Sequence, residues 1–197
     1  MEKDQLTKPK KVAVIGGSAG ALSVVLQIVG ALRRKMSLAV LIVLHRKASD
    51  DNVLVDVLTS RSAFDVREVD GKDTLEAGVI YIAPPDYHVL IERDGSLTLD
   101  YSEKVNYSRP SIDVSFESAA EVYGSSLICV LLSGANADGV AGLVRARELR
   151  STLVIQDPGS AEFMYMPKVA MEQVKPDLVL NDKNIDSLLK LFEDSDI

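Results

Sequence analysis

The chain has 197 residues, of which 47% are hydrophobic and 26% are charged, values typical of a globular protein. This length fits one domain and is too short for a typical (β/α)₈ barrel of about 250 residues. The 22 basic and 29 acidic residues give a net charge of -7, which argues against a dedicated nucleic-acid-binding protein because such a protein needs a basic face. The longest apolar run, residues 38–44, is far below the ~20 residues that span a bilayer, and the polar N-terminus lacks a signal region. We therefore expect a cytoplasmic protein without membrane insertion.

Strands and helices are predicted to alternate in the first part of the chain. A strand over 12–15 precedes the glycine-rich segment 16–20, and an apolar helical pattern follows from Leu22 to Leu32. A continuous apolar strand over 38–44 ends at His45, and a helix over about 52–59 follows, with Asp50 or Asp51 as its cap. We predict a flexible tail over residues 1–10 and a single domain over residues 11–197.

The middle of the chain is predicted to be rich in short strands. They cover residues 64–69, 79–83, 87–92 and 96–101. Asp94-Gly95 is a hairpin turn signal with alternating polarity on both sides, so we expect a β-rich excursion that is partly antiparallel.

The last part of the chain returns to alternation. A helix over about 112–123 is capped by Ser111. Further segments follow in chain order: a strand over 127–132, a helix over about 139–149, a strand over 153–155, a helix near 167–174, a strand over 178–180 and a helix near 185–193. Cys129, the single cysteine, lies within an apolar run and is expected to be a buried thiol. The whole pattern predicts a doubly wound α/β fold, with a mostly parallel sheet between helices on both faces (three layers, α/β/α) and a β-hairpin excursion in the middle.

Three residues of potential chemical importance follow the ends of separate apolar strands, where ligands bind in such sheets. Ser18 lies in a G-x-S-x-G turn, a motif that exposes a serine nucleophile, although the same residue could simply cap the following helix. Dinucleotide binding is disfavoured because Ser18 and Ala21 stand where that fingerprint needs glycines. His45 could accept the serine proton or be structural. Asp138 could accept a hydrogen bond from His45 Nδ1–H or cap the next helix.

These residues belong to a set of ordered motifs that resembles the catalytic domain of the CheB-type chemotaxis protein-glutamate methylesterases over about residues 11–193. The motifs are Ala13–Gly20, Val43–His45, Ile80–Pro84 with Asp86 and His88, Arg109–Asp113, Leu131–Gly139, and Gln156–Ala161 followed by Met166-Pro167. The resemblance implies that Ser18 is the nucleophile, His45 the general base and Asp138 the orienting carboxylate.

The resemblance also implies further roles around the triad. The backbone N–H of Ala135 is the expected oxyanion donor, with that of Ala19 as a second donor. His88 and Arg109 match positions that line the family's cleft and are the expected substrate-binding residues, although either could instead be structural. No metal or cofactor is required by this chemistry.

The chain departs from the family pattern in several places. Ala135 and Asn136 replace a methionine and a glycine, Ala21 replaces a second glycine, and Gly159 stands where glutamate is common. Asn136 raises a question about the backbone angles of its loop. These changes indicate a divergent member, and residues 1–10 leave no room for the regulatory receiver domain that relatives carry, so we expect control, if any, by a separate protein.

The implied activity is hydrolysis of glutamyl methyl esters on the cytoplasmic helices of chemoreceptors, with glutamine deamidation as a related reaction. Two alternatives stay open: a binding module with weakened catalysis, and a serine esterase for another ester. Because receptor methylation helices are acidic as well, docking would depend on a local basic patch around Arg109.

Overall fold

The computed structural model describes residues 8–46 and 53–193. Its centre is a seven-stranded sheet in which every neighbouring pair is parallel. The strands are β1 (Lys11–Gly17), β2 (Leu38–Leu44), β3 (Asp65–Glu68), β4 (Val79–Ile82), β7 (Leu127–Leu131), β8 (Thr152–Gln156) and β9 (Leu178–Leu180), and they lie in the order β3-β4-β2-β1-β7-β8-β9. The strands β5 (His88–Ile91) and β6 (Leu97–Asp100) form a separate antiparallel hairpin.

In the described part of the chain, six α-helices cover the sheet. They are α1 (Leu22–Ala31), α2 (Val53–Arg61), α3 (Ile112–Tyr123), α4 (Val140–Glu148), α5 (Tyr165–Gln173) and α6 (Ile185–Phe192). Buried residues of α1, α2 and α6 pack in one core cluster, whereas those of α3, α4, α5 and the hairpin pack in the other. Strand β1 contributes to both, with Val12 and Val14 in one cluster and Ala13 and Ile15 in the other. Successive side chains of a strand point to opposite faces, so this all-apolar strand feeds two cores.

The three-layer α/β fold and its hairpin confirm the predicted fold class. The middle of the chain is partly antiparallel, as predicted, but β3 and β4 pair in parallel and extend the main sheet, whereas β5 and β6 pair antiparallel. Helix α2 is described from Val53 to Arg61, and the predicted caps Asp50 and Asp51 lie outside the described residues. Within residues 8–46 and 53–193, no helix is both long and apolar enough to cross a bilayer.

Two local predictions are also confirmed. Ser111 caps α3 through its hydroxyl, which accepts a hydrogen bond from the backbone N–H of Val114. Cys129 lies in the centre of β7 with no exposed surface, and burial raises the pKa of its thiol. A neutral thiol in this environment is a packing residue rather than a nucleophile.

The sheet order brings three loops together at one edge. Strands β2, β1 and β7 are consecutive neighbours, so the residues that follow them meet beyond their carboxyl ends. These are His45, Ser18 and the loop that contains Asp138.

Candidate active site

Ser18 lies in the turn between β1 and α1. Its backbone N–H donates to the carbonyl of Ser133, at 2.9 Å, and its own carbonyl accepts from Ala21 N–H at 3.1 Å. Helix α1 is preceded by Ala21, and no side chain caps it, so Ser18 is not a helix cap. The Ser18 hydroxyl forms no hydrogen bond with any other residue that the structure describes. It is therefore a half-buried hydroxyl at the sheet edge without a structural task.

Gly16 and Gly20, the two glycines of the G-x-S-x-G motif, have different structural roles. Gly20 has a φ of 76°, a left-handed conformation that side chains disfavour, and it closes the turn. Gly16 instead makes room for α3, because a Cβ atom at this position would lie 2.4 Å from Cγ2 of Ile112. The motif thus combines a tight turn with the close approach of a helix.

His45 follows β2 directly beside Ser18. The β1–β2 register pairs Gly17 with Leu44, and the His45 N–H donates to the Gly17 carbonyl at 3.2 Å, so the next residues of the two strands are neighbours. The imidazole donates through Nε2 to Asp138 Oδ2 at 2.7 Å. We predicted that the other nitrogen, Nδ1, would make this bond; the ring is instead turned so that Nδ1 is the nitrogen left for a hydroxyl.

Asp138 is fully buried, and five donors surround its carboxylate. They are His45 Nε2, the Ser111 hydroxyl, and the backbone N–H groups of Ile112, Asp113 and Gly139, at 2.7 to 3.1 Å. Burial raises the pKa of this carboxyl, but the bonds from His45 and from the N-terminus of α3 outweigh it and hold the pKa below its ordinary value. The Asp138 side chain thus binds the N-terminus of α3, although the helix that follows Asp138 in the chain is α4. With a lowered pKa, its carboxylate is ionised when it accepts the hydrogen bond from His45.

A second buried carboxyl, Asp113, lies beside Asp138. It accepts hydrogen bonds from Gly142 N–H at 2.7 Å and from Asn106 Nδ2 at 2.8 Å. Burial and the nearby charge of Asp138 raise its pKa to about 7. Sequence reasoning gave this residue no role, although its place in the Arg109–Asp113 motif was a signal.

The loops that carry the expected oxyanion donors are tied together. The Ser133 hydroxyl donates to the Ala19 carbonyl at 2.8 Å and accepts from Phe163 N–H at 2.9 Å. Ala19 and Ala135 are exposed, and the N–H of each finds no acceptor among the described residues. Both groups are therefore free to donate to a bound oxygen. Asn136 is not among the residues with positive φ, so the question about this loop's backbone is resolved.

His88 has a different place from the one expected. It is 1% exposed, its Nδ1 accepts from Ser111 N–H at 3.1 Å, and its Nε2 donates to the Glu103 carbonyl at 3.0 Å. Both ring nitrogens are thus engaged by backbone groups, and His88 offers no polar atom to a substrate. It supports Ser111, one of the donors to Asp138.

Arg109 lines an open cleft of about 390 Å³ next to His45. Its guanidinium donates to the carbonyls of Ser102 and Tyr101, at 2.7 and 3.3 Å, and lies 3.9 Å above the Tyr101 ring. The other lining residues are His45, Arg46, Asp86, Lys104, Tyr107 and Ser108. The cleft contains more basic than acidic side chains, in contrast to the chain as a whole.

The arrangement defines a class of protein. A serine hydroxyl, a histidine and a buried carboxylate lie at the carboxyl edge of a parallel α/β sheet, with free backbone donors beside the serine, as in serine hydrolases. The chain order Ser18, His45, Asp138 differs from the order of ordinary α/β-hydrolases.

Comparison with known proteins narrows this class to a family. The family model described as CheB methylesterase matches residues 13–189, and the chain belongs to that family. A putative protein-glutamate methylesterase/protein-glutamine glutaminase of Leptospira interrogans is 40% identical over 89% of this chain and 91% of its own length. A protein-glutamate methylesterase/protein-glutamine glutaminase of Symbiobacterium thermophilum is 32% identical over 83% of this chain and 45% of its own length. The crystal structure of the Thermotoga maritima CheB methylesterase catalytic domain matches with a TM-score of 0.85 and 30% identity, covering 92% of this chain and 97% of that one.

Proposed function

We propose that this chain is a protein-glutamate methylesterase that hydrolyses glutamyl methyl esters on chemoreceptor helices in the cytoplasm. The observation that carries the proposal is the 2.7 Å bond between His45 Nε2 and Asp138 Oδ2, which lies at the edge of the sheet where Ser18 follows the neighbouring strand. Membership of the CheB methylesterase family and the names of the relatives support the substrate class.

The reaction begins with attack of Ser18 Oγ on the γ-carbonyl of the ester, while His45 Nδ1 takes the hydroxyl proton. Ionised Asp138 stabilises the imidazolium through Nε2. The N–H groups of Ala135 and Ala19 hold the tetrahedral oxyanion. Each such donor contributes roughly 3–4 kcal/mol in enzymes that have been tested by mutation.

Collapse of the tetrahedral intermediate completes the transfer. His45 returns the proton to the departing methoxide, so methanol leaves and the glutamyl group stays on Ser18. Water then attacks this acyl-enzyme with His45 as base, which frees glutamate and restores the Ser18 hydroxyl. The same steps on a glutamine release ammonia in place of methanol.

Ser18→Ala tests the proposal most directly. We expect methanol release from methylated receptor to fall by roughly 10⁴-fold or more, because the nucleophile is lost. Ser23→Ala is the matched control, since Ser23 is an exposed serine in the first turn of α1 whose hydroxyl donates to the Gly20 carbonyl at 3.5 Å. Circular dichroism checks that both variants are folded.

Three other results would redirect the proposal. An unchanged rate in Ser18→Ala would remove Ser18 from the mechanism. Failure of the wild-type protein to react with a fluorophosphonate probe would favour a non-catalytic binding module. Labelling of Ser18 without methanol release from receptor, but with turnover of small esters, would favour an esterase of different specificity.

A further inference from the structure

A second serine hydroxyl lies beside His45. Ser108, in the loop before α3, is 8% exposed, and its Oγ lies 3.5 Å from His45 Nδ1. This is the nitrogen that Asp138 leaves free and that must accept the Ser18 proton in the proposed mechanism. The contact is long for a hydrogen bond between a hydroxyl and an imidazole, so it is a weak interaction that orients the ring.

Asn136 holds Ser108 in place. Its Nδ2 donates to Ser108 Oγ at 3.1 Å, and its Oδ1 accepts from the backbone N–H of Asp138 at 3.2 Å. A closed ring of polar contacts therefore runs from Asp138 through His45, Ser108 and Asn136 back to Asp138. Residues from three loops are joined in this ring, and each nitrogen of His45 has a polar neighbour in it.

The Ser108 hydroxyl proton has two acceptors within similar reach. One is His45 Nδ1 and the other is the Asn106 carbonyl, 3.4 Å from Ser108 Oγ. A hydroxyl can donate one hydrogen bond and accept two, and it rotates to suit its partners. When Nδ1 is unprotonated, Ser108 can donate to it. When Nδ1 carries the proton of Ser18, the hydroxyl can turn to Asn106 and accept from Nδ1 instead.

We propose that Ser108, held by Asn136, is a positioning residue that keeps the His45 ring hydrogen-bonded in both of its protonation states. This inference rests on the proposed function, in which His45 is the base. The rotation of one hydroxyl releases Nδ1 as Ser18 approaches, so the base is oriented before substrate binds and free when it is needed. Preorganisation of this kind lowers the cost of reaching the reactive geometry.

The first test reads the contact itself and needs no substrate. The chain contains two histidines, so a ¹⁵N-histidine spectrum resolves His45 and His88. In Ser108→Ala, we expect the His45 Nδ1 resonance to move toward that of a free imidazole nitrogen. The His88 resonances should stay in place, because Ser111 N–H and the Glu103 carbonyl hold that ring. An unmoved His45 resonance would overturn the proposal.

The second test measures turnover of methylated receptor. Ser108→Ala should lower kcat about tenfold with KM unchanged, as loss of one hydrogen bond to the base would do. Ser108→Thr should restore kcat because it keeps the hydroxyl, and Asn136→Gly should give an intermediate value. Ser151→Ala is the matched control: Ser151 is 2% exposed, donates to the Gly124 carbonyl at 2.9 Å, and precedes β8 at the opposite edge of the sheet. A wild-type kcat in Ser108→Ala, or no rescue by threonine, would contradict the role of the hydroxyl.

Labelling with a fluorophosphonate separates this inference from the proposed function. Wild type should be labelled at Ser18, and Ser18→Ala should not be labelled. Labelling of Ser108 in Ser18→Ala would show that Ser108 is itself a nucleophile and would overturn its positioning role. Methanol release that persists in unlabelled Ser18→Ala would instead refute the proposed mechanism, while the His45 spectrum would still report whether Ser108 holds the ring.

Discussion

At the scale of single residues, the site contains two buried carboxyls whose pKa values are shifted in opposite directions. Asp138 faces five donors and keeps a lowered pKa, whereas burial and the charge of Asp138 raise the pKa of Asp113 to about 7. Two like charges this close would repel each other in a medium of low dielectric. Below about pH 7, protonation of Asp113 therefore leaves the negative charge on Asp138, the residue that meets His45.

Asp113→Asn tests this division by the pH dependence of stability. The pKa of Asp113 is higher in the folded state than the ordinary value of 3.8, so the folded protein binds more protons, and stability falls as pH rises from about 4 to about 7. Asparagine cannot ionise and removes this loss. We expect the difference in unfolding free energy, variant minus wild type, to increase by on the order of 2 kcal/mol from pH 5 to pH 8. Urea unfolding of both proteins at pH 5 and at pH 8 measures this change. If the variant and wild type differ by the same unfolding free energy at both pH values, the pKa of Asp113 is not raised.

The positions of Ser18, His45 and Asp138 followed from the sequence, because strand ends and sheet topology place them. The choice of nitrogen on His45 did not, since ring orientation depends on Ser108 and on the N-terminus of α3, which are distant in the chain. The role of His88 could not be inferred for the same reason. A strand histidine looks alike in a sequence whether it faces a cleft or, as here, two backbone groups.

At the scale of elements, α3 is the helix that builds the site. Its first two N–H groups bind Asp138, and its first residue, Ile112, packs against Gly16 of β1. The helix N-terminus favours a negative charge, which adds to the hydrogen bonds. The absence of a side chain at Gly16 therefore lets the start of α3, which holds Asp138, approach the strand that leads to Ser18.

Gly16→Ala tests this coupling. The added methyl would meet Ile112 Cγ2 at 2.4 Å, so α3 must shift, and we expect a loss of about 1–3 kcal/mol in unfolding free energy together with a large loss of kcat. Gly30→Ala is the matched control, because the nearest atom to its Cβ is 3.9 Å away and alanine favours the α1 helix. Thermal unfolding and methanol release measure the two effects. Full activity in Gly16→Ala would show that α3 is not held by this contact.

The sequence predicts the alternation of strands and helices more accurately than it predicts which short strands pair in the middle of the chain. Continuous apolar runs such as β2 and β7 are typical of strands covered on both faces, and both are buried throughout. Strand β3 gives no such signal, because its four residues are mostly exposed at the sheet edge. Its parallel pairing with β4 depends on the path of residues 69–78, which carries no periodic pattern.

At the scale of the whole molecule, charge is distributed unevenly. The chain carries a net charge of -7, yet the cleft beside His45 is lined by Arg46, Lys104 and Arg109 against one acidic residue, Asp86. Arg46 is paired with Glu68, which leaves Lys104 as an exposed cation on the rim. An acidic substrate helix would be repelled by the molecule at long range and attracted by this rim at short range.

Lys104→Glu separates these two effects. We expect KM for methylated receptor to rise several-fold at low ionic strength with kcat unchanged, because Lys104 lies at the rim and not at the reacting atoms. Lys190→Glu makes the same charge change on α6, on the opposite face of the sheet, and should leave KM within twofold. The difference between the variants should shrink at 0.5 M salt, because exposed charges are screened beyond a few ångströms there. Equal KM values for the two variants at low salt would mean that overall charge, and not the cleft, governs docking.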